Sequence, residues 1–247
     1  MTEPRDAPPP PEHSHEDGAI AARLAEGARP DYLRDWVYGG IDGAVTTFAI
    51  VAGATGGALS ERVVIILGVA NLVADGLSMA AGNYLGTKAE ADNRRRLRAV
   101  EERHVALHPE GERREIREIF RRKGFDGEDL ERAVAVITRD RELWIETMLA
   151  EEYGLPAAAR SPMRAALSTF GAFLLCGAAP ILPFLLGLDQ AWGVSIALTG
   201  VVFYAIGSAK SAWSPQPAWR SGLEVLSIGA AAALAAYGLG AAADALL

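Results

Sequence analysis

The chain contains five long apolar segments, each near the ~20 residues that a helix needs to cross a bilayer. They cover about residues 37–59, 63–85, 163–188, 191–209 and 223–246. Hydrocarbon offers no hydrogen-bond partners to a backbone, so such segments cross a membrane as helices. The sequence therefore predicts an all-α membrane protein with five transmembrane helices. Short loops should make tight hairpins of the first and second spans and of the third and fourth.

A stretch of very different composition separates the second span from the third. Residues 88–160 hold 16 Lys/Arg and 17 Asp/Glu, whereas the apolar segments are nearly uncharged. Arg29 and Arg34 precede the first span and a basic run at 94–98 follows the second, and basic loops mark the cytoplasmic side. We therefore expect residues 1–30 and 88–160 in the cytoplasm and the C-terminus on the opposite side.

The same composition predicts the domain organisation. Residues 1–30 carry too few apolar groups to fold and are expected to form a disordered tail. Residues 31–87 hold the first two spans, 88–160 form a cytoplasmic helical domain, and 161–247 hold the last three spans. The insert balances its basic residues with acidic ones, and no phosphate-binding loop is visible. Neither a nucleic-acid partner nor ATP hydrolysis is expected.

The insert is predicted to be helical throughout. Its first part should continue the second span without a break and end at His108-Pro109, because the residue before a proline is driven out of the helical region. A second helix should stop at Gly124, and a third should start at Asp126 or Gly127. A fourth should end at Gly154, where glycine commonly terminates a helix.

Three of these helices each carry a pair of metal-ligand side chains at helical spacing, so that each pair shares one face. Such pairs, projecting into a bundle, build carboxylate metal sites. Carboxylate, imidazole and thioether donors suit first-row divalent ions such as Fe²⁺, Mn²⁺, Co²⁺ and Zn²⁺. The alternative is a solvated face on which the glutamates pair with the arginines of 113–117. The pairs are Glu101 with His104, Glu112 with Glu115, and Met148 with Glu152.

Polar side chains also lie inside the apolar segments, where they are costly and usually functional. Asp42 lies in the first span. Asp75, Met79 and Asn83 recur every four residues in the second, which places them on one stripe of that helix. The stripe fits a transient site for a divalent ion. The alternative is a hydrogen-bonded seam between helices.

Other residues bear on packing. Small residues at four-residue spacing let helices approach closely in lipid; they are Gly39 and Gly43, Gly53 and Gly57, and Ala232, Ala236 and Gly240. Pro180 and Pro183 should kink the third span, either for packing or to open a cavity. Cys176, the one cysteine, excludes an intrachain disulfide and should be a buried, unreactive thiol.

Four stretches together resemble the vacuolar iron transporter family. They are DWVYGGIDGAVTTFAIVAG, ANLVADGLSMAAGNYLGTKAE, HPEGERREI and WIETMLAEEYGL, and they occur in this order around the insert. The resemblance runs from about residue 33 to the C-terminus. It implies five spans, a homodimer with the ion path near its interface, and a metal-binding cytoplasmic domain. It also implies export of Fe²⁺, often with Mn²⁺, from the cytoplasm in exchange for protons.

The resemblance also carries over to particular positions. In the membrane, Asp42 and Met79 match the translocation site. His104 stands where one more glutamate is expected, and Leu149 stands where some relatives have a second methionine. The remaining metal ligands implied for the insert are Glu101, Glu112, Glu115, Met148 and Glu152.

Two other interpretations stay open at this point. One is a membrane-anchored di-metal oxidase, although only Glu101–His104 resembles the Glu-x-x-His motif that such centres use twice. The other is a metal sensor without transport, which would leave Asp42 and Asp75 without a purpose. The high Ala, Gly and Arg content and the lack of organelle signals favour a bacterial inner membrane. The leading expectation is a transporter and not an enzyme.

Overall fold

The computed structural model describes residues 14–26, 30–156 and 158–246. Ten α-helices and no strand occur in these ranges, which confirms the all-α prediction there. Arg29 and residues 1–13 of the predicted tail lie outside the described residues. The helices are α1 (Asp17–Glu26), α2 (Leu33–Gly56), α3 (Glu61–Leu107), α4 (Pro109–Arg122), α5 (Gly127–Arg139), α6 (Arg141–Glu151), α7 (Pro162–Gly177), α8 (Leu182–Leu185), α9 (Ala191–Lys210) and α10 (Ala218–Leu246).

The chain divides into two compact units, here called the membrane unit and the insert unit. Of the described residues, those in 31–100 and 160–246 form the membrane unit, and those in 14–30 and 101–159 form the insert unit. The continuous helix α3 covers both the predicted second span and the first helix of the insert, as expected from the lack of a helix breaker. Four helices are long and apolar enough to cross a membrane, namely α2, α3, α9 with the turn after it, and α10.

The predicted third span is divided rather than merely kinked. Helix α7 ends at Gly177, and α8 begins only at Leu182. Pro180 and Pro183 remove two backbone donors at this point, which ends the regular hydrogen-bond ladder. The Ser195 hydroxyl donates to the Pro180 carbonyl oxygen at 2.6 Å, so one acceptor freed by the break is satisfied from α9.

Glycines set how closely α2 approaches its neighbours. A Cβ at Gly43 would lie 2.4 Å from the Phe173 carbonyl oxygen of α7, and a Cβ at Gly240 of α10 would lie 2.0 Å from the Gly53 carbonyl oxygen. The close approach predicted from the small-residue spacing is therefore confirmed, and both contacts lie within one chain. Buried side chains of α2, α7, α9 and α10, including Phe48, Cys176 and Phe203, fill the core beside them.

The insert unit has its own apolar core. Ile116 of α4, Val134 of α5, and Trp144 and Met148 of α6 are buried together. The helix ends agree with the predictions from His108-Pro109, Gly124 and Gly127, and the backbone has positive φ at both glycines. Within the predicted tail, residues Asp17–Glu26 form α1, which buries none of its side chains.

Candidate metal centre

The turn between α3 and α4 brings two ligand-bearing helix ends together. Pro109 occupies the first turn of α4, where its missing N–H costs no hydrogen bond. The preceding His108 leaves the helical region, with φ −135° and ψ 50°. The two helices meet directly at His108, whose N–H bonds to the His104 carbonyl and whose own carbonyl accepts from the Glu112 N–H.

Three side chains converge across this turn. His104 Nδ1 lies 3.5 Å from Glu112 Oε1 and 3.8 Å from Glu101 Oε1. One ligand atom from each of the three residues falls within 4.8 Å of the others. A divalent ion in a protein lies about 2.0–2.5 Å from each ligand atom, so the ligand atoms around a single ion must be about this close together.

The two carboxylates in this cluster are buried, with exposed fractions of 1% for Glu101 and 4% for Glu112. Each has one buried oxygen, Oε2, without a hydrogen-bond partner. Buried charged oxygens normally have partners, because leaving them unpaired is costly. A cation bound beside the His104 imidazole would give both of these carboxylate oxygens a partner.

The electrostatic environment of the cluster also favours a bound positive charge. Burial, together with the neighbouring carboxylates of Glu115, Glu101 and Glu152, raises the pKa of Glu112 to about 7. A divalent ion bound at this cluster would compete with the proton on Glu112.

Helix α6 and the residues after it contribute a further partner. The Tyr153 hydroxyl donates a 2.9 Å hydrogen bond to Glu101 Oε1. Burial and then the charges of Glu101 and Glu115 raise the pKa of Glu152, and burial and Glu101 raise the pKa of Tyr153. Tyr153 was not among the predicted site residues, because the spacing of ligand types along a helix does not reveal a hydroxyl that binds a ligand from another helix.

The six predicted ligands fall into three groups. Glu101, His104 and Glu112 form the cluster itself. Glu115 and Glu152 are exposed and near enough to raise the pKa of Glu112. Met148 is fully buried in the apolar core of the insert unit, beside Trp144.

The arginines of α4 do not neutralise the cluster. Arg113 pairs with Glu110 at 2.5 Å, and its guanidinium lies over the Trp144 ring. Arg117 pairs with Glu131 of α5 at 2.7 Å. The alternative of a solvated face, in which these arginines pair with Glu112, is therefore not what the ion pairs of the described residues show.

Inside the membrane unit, Asp42 of α2 and Asp75 of α3 are both half-buried and lie close enough to interact electrostatically. Met79 and Asn83 line a cavity of about 440 Å³. Asn83 also forms a seam between helices, because its amide donates to Asp35 Oδ1 at 2.9 Å and to Thr169 Oγ1 at 2.7 Å. At Asn83 the structure therefore shows a hydrogen-bonded seam, and the ion site along the polar stripe stays a prediction.

Asp35 is a buried acidic residue that the sequence reasoning did not single out. Its carboxylate accepts from Asn83 and forms an ion pair with Arg160, which lies just before α7. Asp35, Arg160 and Thr169 line the same cavity as Met79. The available signal was weak, because Asp35 lies just before the predicted first span, where a charged residue is ordinary.

Comparisons with known proteins agree with these features. The sequence profile of the VIT family matches residues 33–241. The chain belongs to the VIT family. Its relatives include proteins named vacuolar iron transporter from Toxoplasma gondii, at 33% identity, and vacuolar iron transporter 1 from Eucalyptus grandis and Arabidopsis thaliana, each at 31%. These alignments cover 84–85% of this chain and 74%, 85% and 84% of the respective relatives.

Membership of the VIT family confirms the resemblance found in the sequence. It also agrees with the expectation of a multi-pass membrane protein that is not an enzyme, because the relatives carry the names of transporters. The matched region begins at α2 and includes the whole insert unit from Glu101 onward, so the metal cluster lies inside it.

Proposed function

We propose that this protein exports Fe²⁺, and Mn²⁺ as well, from the cytoplasm in exchange for protons. The observation that supports it most directly is the buried cluster of Glu101, His104 and Glu112, with two carboxylate oxygens that lack hydrogen-bond partners. The relatives named as iron transporters identify Fe²⁺ as the first ion to test. Zn²⁺ and Co²⁺ are further candidates by ligand type.

The two groups of polar residues take different parts in this proposal. The insert unit binds the ion before transport, with Glu115, Met148 and Glu152 completing the ligand set of the cluster. In the membrane unit, Asp42, Asp75, Met79 and Asn83 form the path. The neighbouring carboxylates of Asp42 and Asp75 can be neutralised by one divalent cation or by protons, which is the exchange that an antiporter needs.

The proposed topology has five spans, with α7, the break and α8 together making the third. The proposal places residues 1–30 and 88–160 in the cytoplasm. All three relatives named above come from eukaryotes, so the bacterial inner membrane expected from composition stays a prediction.

The proposed assembly is a homodimer in the lipid bilayer. The glycines of α2 do not supply its interface, because Gly39 and Gly43 contact α7 and Gly53 contacts α10 of the same chain. Cross-linking or native mass measurement in mild detergent tests the assembly, and an active protein that is strictly monomeric would contradict it.

The test of function is flux into proteoliposomes. Fe²⁺, Mn²⁺, Zn²⁺ and Ca²⁺ are supplied in turn, with and without a proton gradient across the vesicle membrane. We expect Fe²⁺ and Mn²⁺ flux that increases with the gradient and is accompanied by counterflow of protons. Oxidation of Fe²⁺ without flux would instead favour the membrane-anchored oxidase, and saturable binding without either would favour a sensor.

A further inference from the structure

The Asp35 carboxylate is a buried anion whose two oxygens are both occupied. Its exposed fraction is 6%. Oδ1 accepts the Asn83 amide at 2.9 Å, and Oδ2 is held by the Arg160 guanidinium. Burying a carboxylate requires such partners, because an unpaired charge in this position is strongly unfavourable. The ionised Asp35 carboxylate is therefore stabilised by a cation beside it, and in this structure that cation is Arg160.

The same carboxylate faces a space large enough for other cations. The cavity of about 440 Å³ is lined by small and hydroxyl-bearing residues and by the side chains of Arg34, Asp35, Met79, Asn83, Glu90 and Arg160. Carboxylate, amide and thioether groups are thus gathered around one cavity. These donors suit a divalent first-row ion that has lost part of its water.

The position of Arg160 makes it a replaceable partner. Arg160 lies in the segment before α7 and not within a helix, and 27% of its side chain is exposed. Its buried Nε has no hydrogen-bond partner. Its guanidinium also lies over the Tyr32 ring, 5.6 Å from the ring centre, which provides a second favourable contact. A guanidinium that is incompletely bonded and partly solvated can leave the carboxylate without the disruption of a helix.

We propose that Asp35 is a further ligand on the ion path and that Arg160 is a tethered cation, which occupies this ligand until a divalent ion displaces it. This inference rests on the proposed transport function. It explains how a buried carboxylate remains stable between transport events. It also makes Arg160 a determinant of apparent affinity, because the ion must compete with a positive charge that the protein itself carries.

The experiment measures Fe²⁺ flux into proteoliposomes against Fe²⁺ concentration for the parent and four variants. Arg160→Gln removes the competing cation, and we expect KM to fall about fivefold or more, since one positive charge beside the ligand is lost. The maximal rate should not rise in this variant, because an ion that binds Asp35 more tightly also leaves Asp35 more slowly. Asp35→Asn should raise KM. Arg164→Gln, at the exposed start of α7, is the charge-matched control and should leave KM unchanged.

The double variant Asp35→Asn, Arg160→Gln separates this role from a purely structural tie between α2 and the segment before α7. If Arg160 acts through Asp35, the double variant has the same KM as Asp35→Asn. A structural tie predicts instead that Arg160→Gln lowers the unfolding temperature and leaves KM unchanged. An unchanged or raised KM in folded Arg160→Gln overturns the inference.

Failure of the proposed function is distinguishable from failure of this inference. A parent protein that moves no Fe²⁺ under any gradient contradicts the proposed function itself.

A second variant covers the case in which Arg160→Gln does not fold. Arg160→Lys then takes its place, since lysine keeps the charge but cannot bind a carboxylate through two parallel hydrogen bonds. Because lysine should hold Asp35 less firmly than arginine does, we expect Arg160→Lys to have a KM below the parent's. A KM equal to the parent's overturns the inference.

Discussion

His104 Nδ1 of α3 lies 3.5 Å from Glu112 Oε1 of α4, across the turn that Pro109 begins. Beside this pair, Glu101 and Glu112 each retain a buried oxygen without a partner. The contact is the centre of the candidate metal site, because it joins two ligand pairs that the sequence places on separate helices.

We expect Glu112→Gln to weaken Fe²⁺ binding to the full-length protein in detergent by about tenfold or more, since it removes both a charge and a ligand atom. Glu118→Gln is the matched control. Glu118 lies on the same helix but pairs with Arg121 at 2.6 Å and Arg122 at 3.0 Å. Anaerobic calorimetry measures both, and equal affinity in the two variants would show that Glu112 is not a ligand.

Metal binding should depend on pH near neutrality. The pKa of Glu112 is raised to about 7, so below that pH the carboxyl is protonated and the ion must displace the proton. We expect affinity to fall as pH drops from about 7.5 to 6, by up to about tenfold per unit for one released proton.

The Glu112→Gln variant provides the comparison for this pH dependence. It should bind more weakly at every pH and should lose less affinity per unit, because one proton no longer competes. Proton release on metal binding, measured in buffers of different ionisation enthalpy, checks the same point. A parent protein that binds Fe²⁺ equally at both ends of this pH range would contradict the competition.

Asp42→Asn should abolish transport while leaving metal binding by the insert unit unchanged, because it removes an ionisable group inside the membrane unit and no ligand of the cluster. Met79→Ala should give a milder loss, since a thioether carries no charge. Asp189→Asn, in the exposed loop before α9, is the control. Fe²⁺ flux at equal protein density in liposomes ranks the variants. Parental flux in Asp42→Asn would make that residue structural.

Gly43→Ala should destabilise the packing of α2 on α7. The added Cβ would lie 2.4 Å from the Phe173 carbonyl oxygen, and a backbone atom cannot move aside as a flexible side chain does. We expect a loss of about 1–3 kcal/mol in unfolding free energy. Gly171→Ala is the control, because nothing lies within 4 Å of its Cβ and alanine favours a helix. Thermal unfolding in detergent compares them; a Gly43→Ala variant as stable as Gly171→Ala would contradict the close contact.

The sequence alone predicted most of the helices and their ends. Apolar length predicts the spans, and breakers such as Pro109 and Gly124 terminate helices through local backbone geometry. The pairs Glu101–His104 and Glu112–Glu115 also follow from helical spacing, since residues three apart share a face. The division of the third span at Pro180 was expected only as a kink, because the sequence does not show that Ser195 would satisfy the carbonyl at a complete break.

Tertiary structure decided which of these groups meet. Helical spacing places Glu101 and Glu112 each on a face of its own helix, but only the break between the helices at His108 brings their side chains together. Tyr153 reaches Glu101 from 52 residues away, and Arg160 reaches Asp35 from 125 residues away. Neither pairing has a local signature, because the partners are brought together by helix packing, whereas the patterns that sequence reveals act over a few turns of one helix.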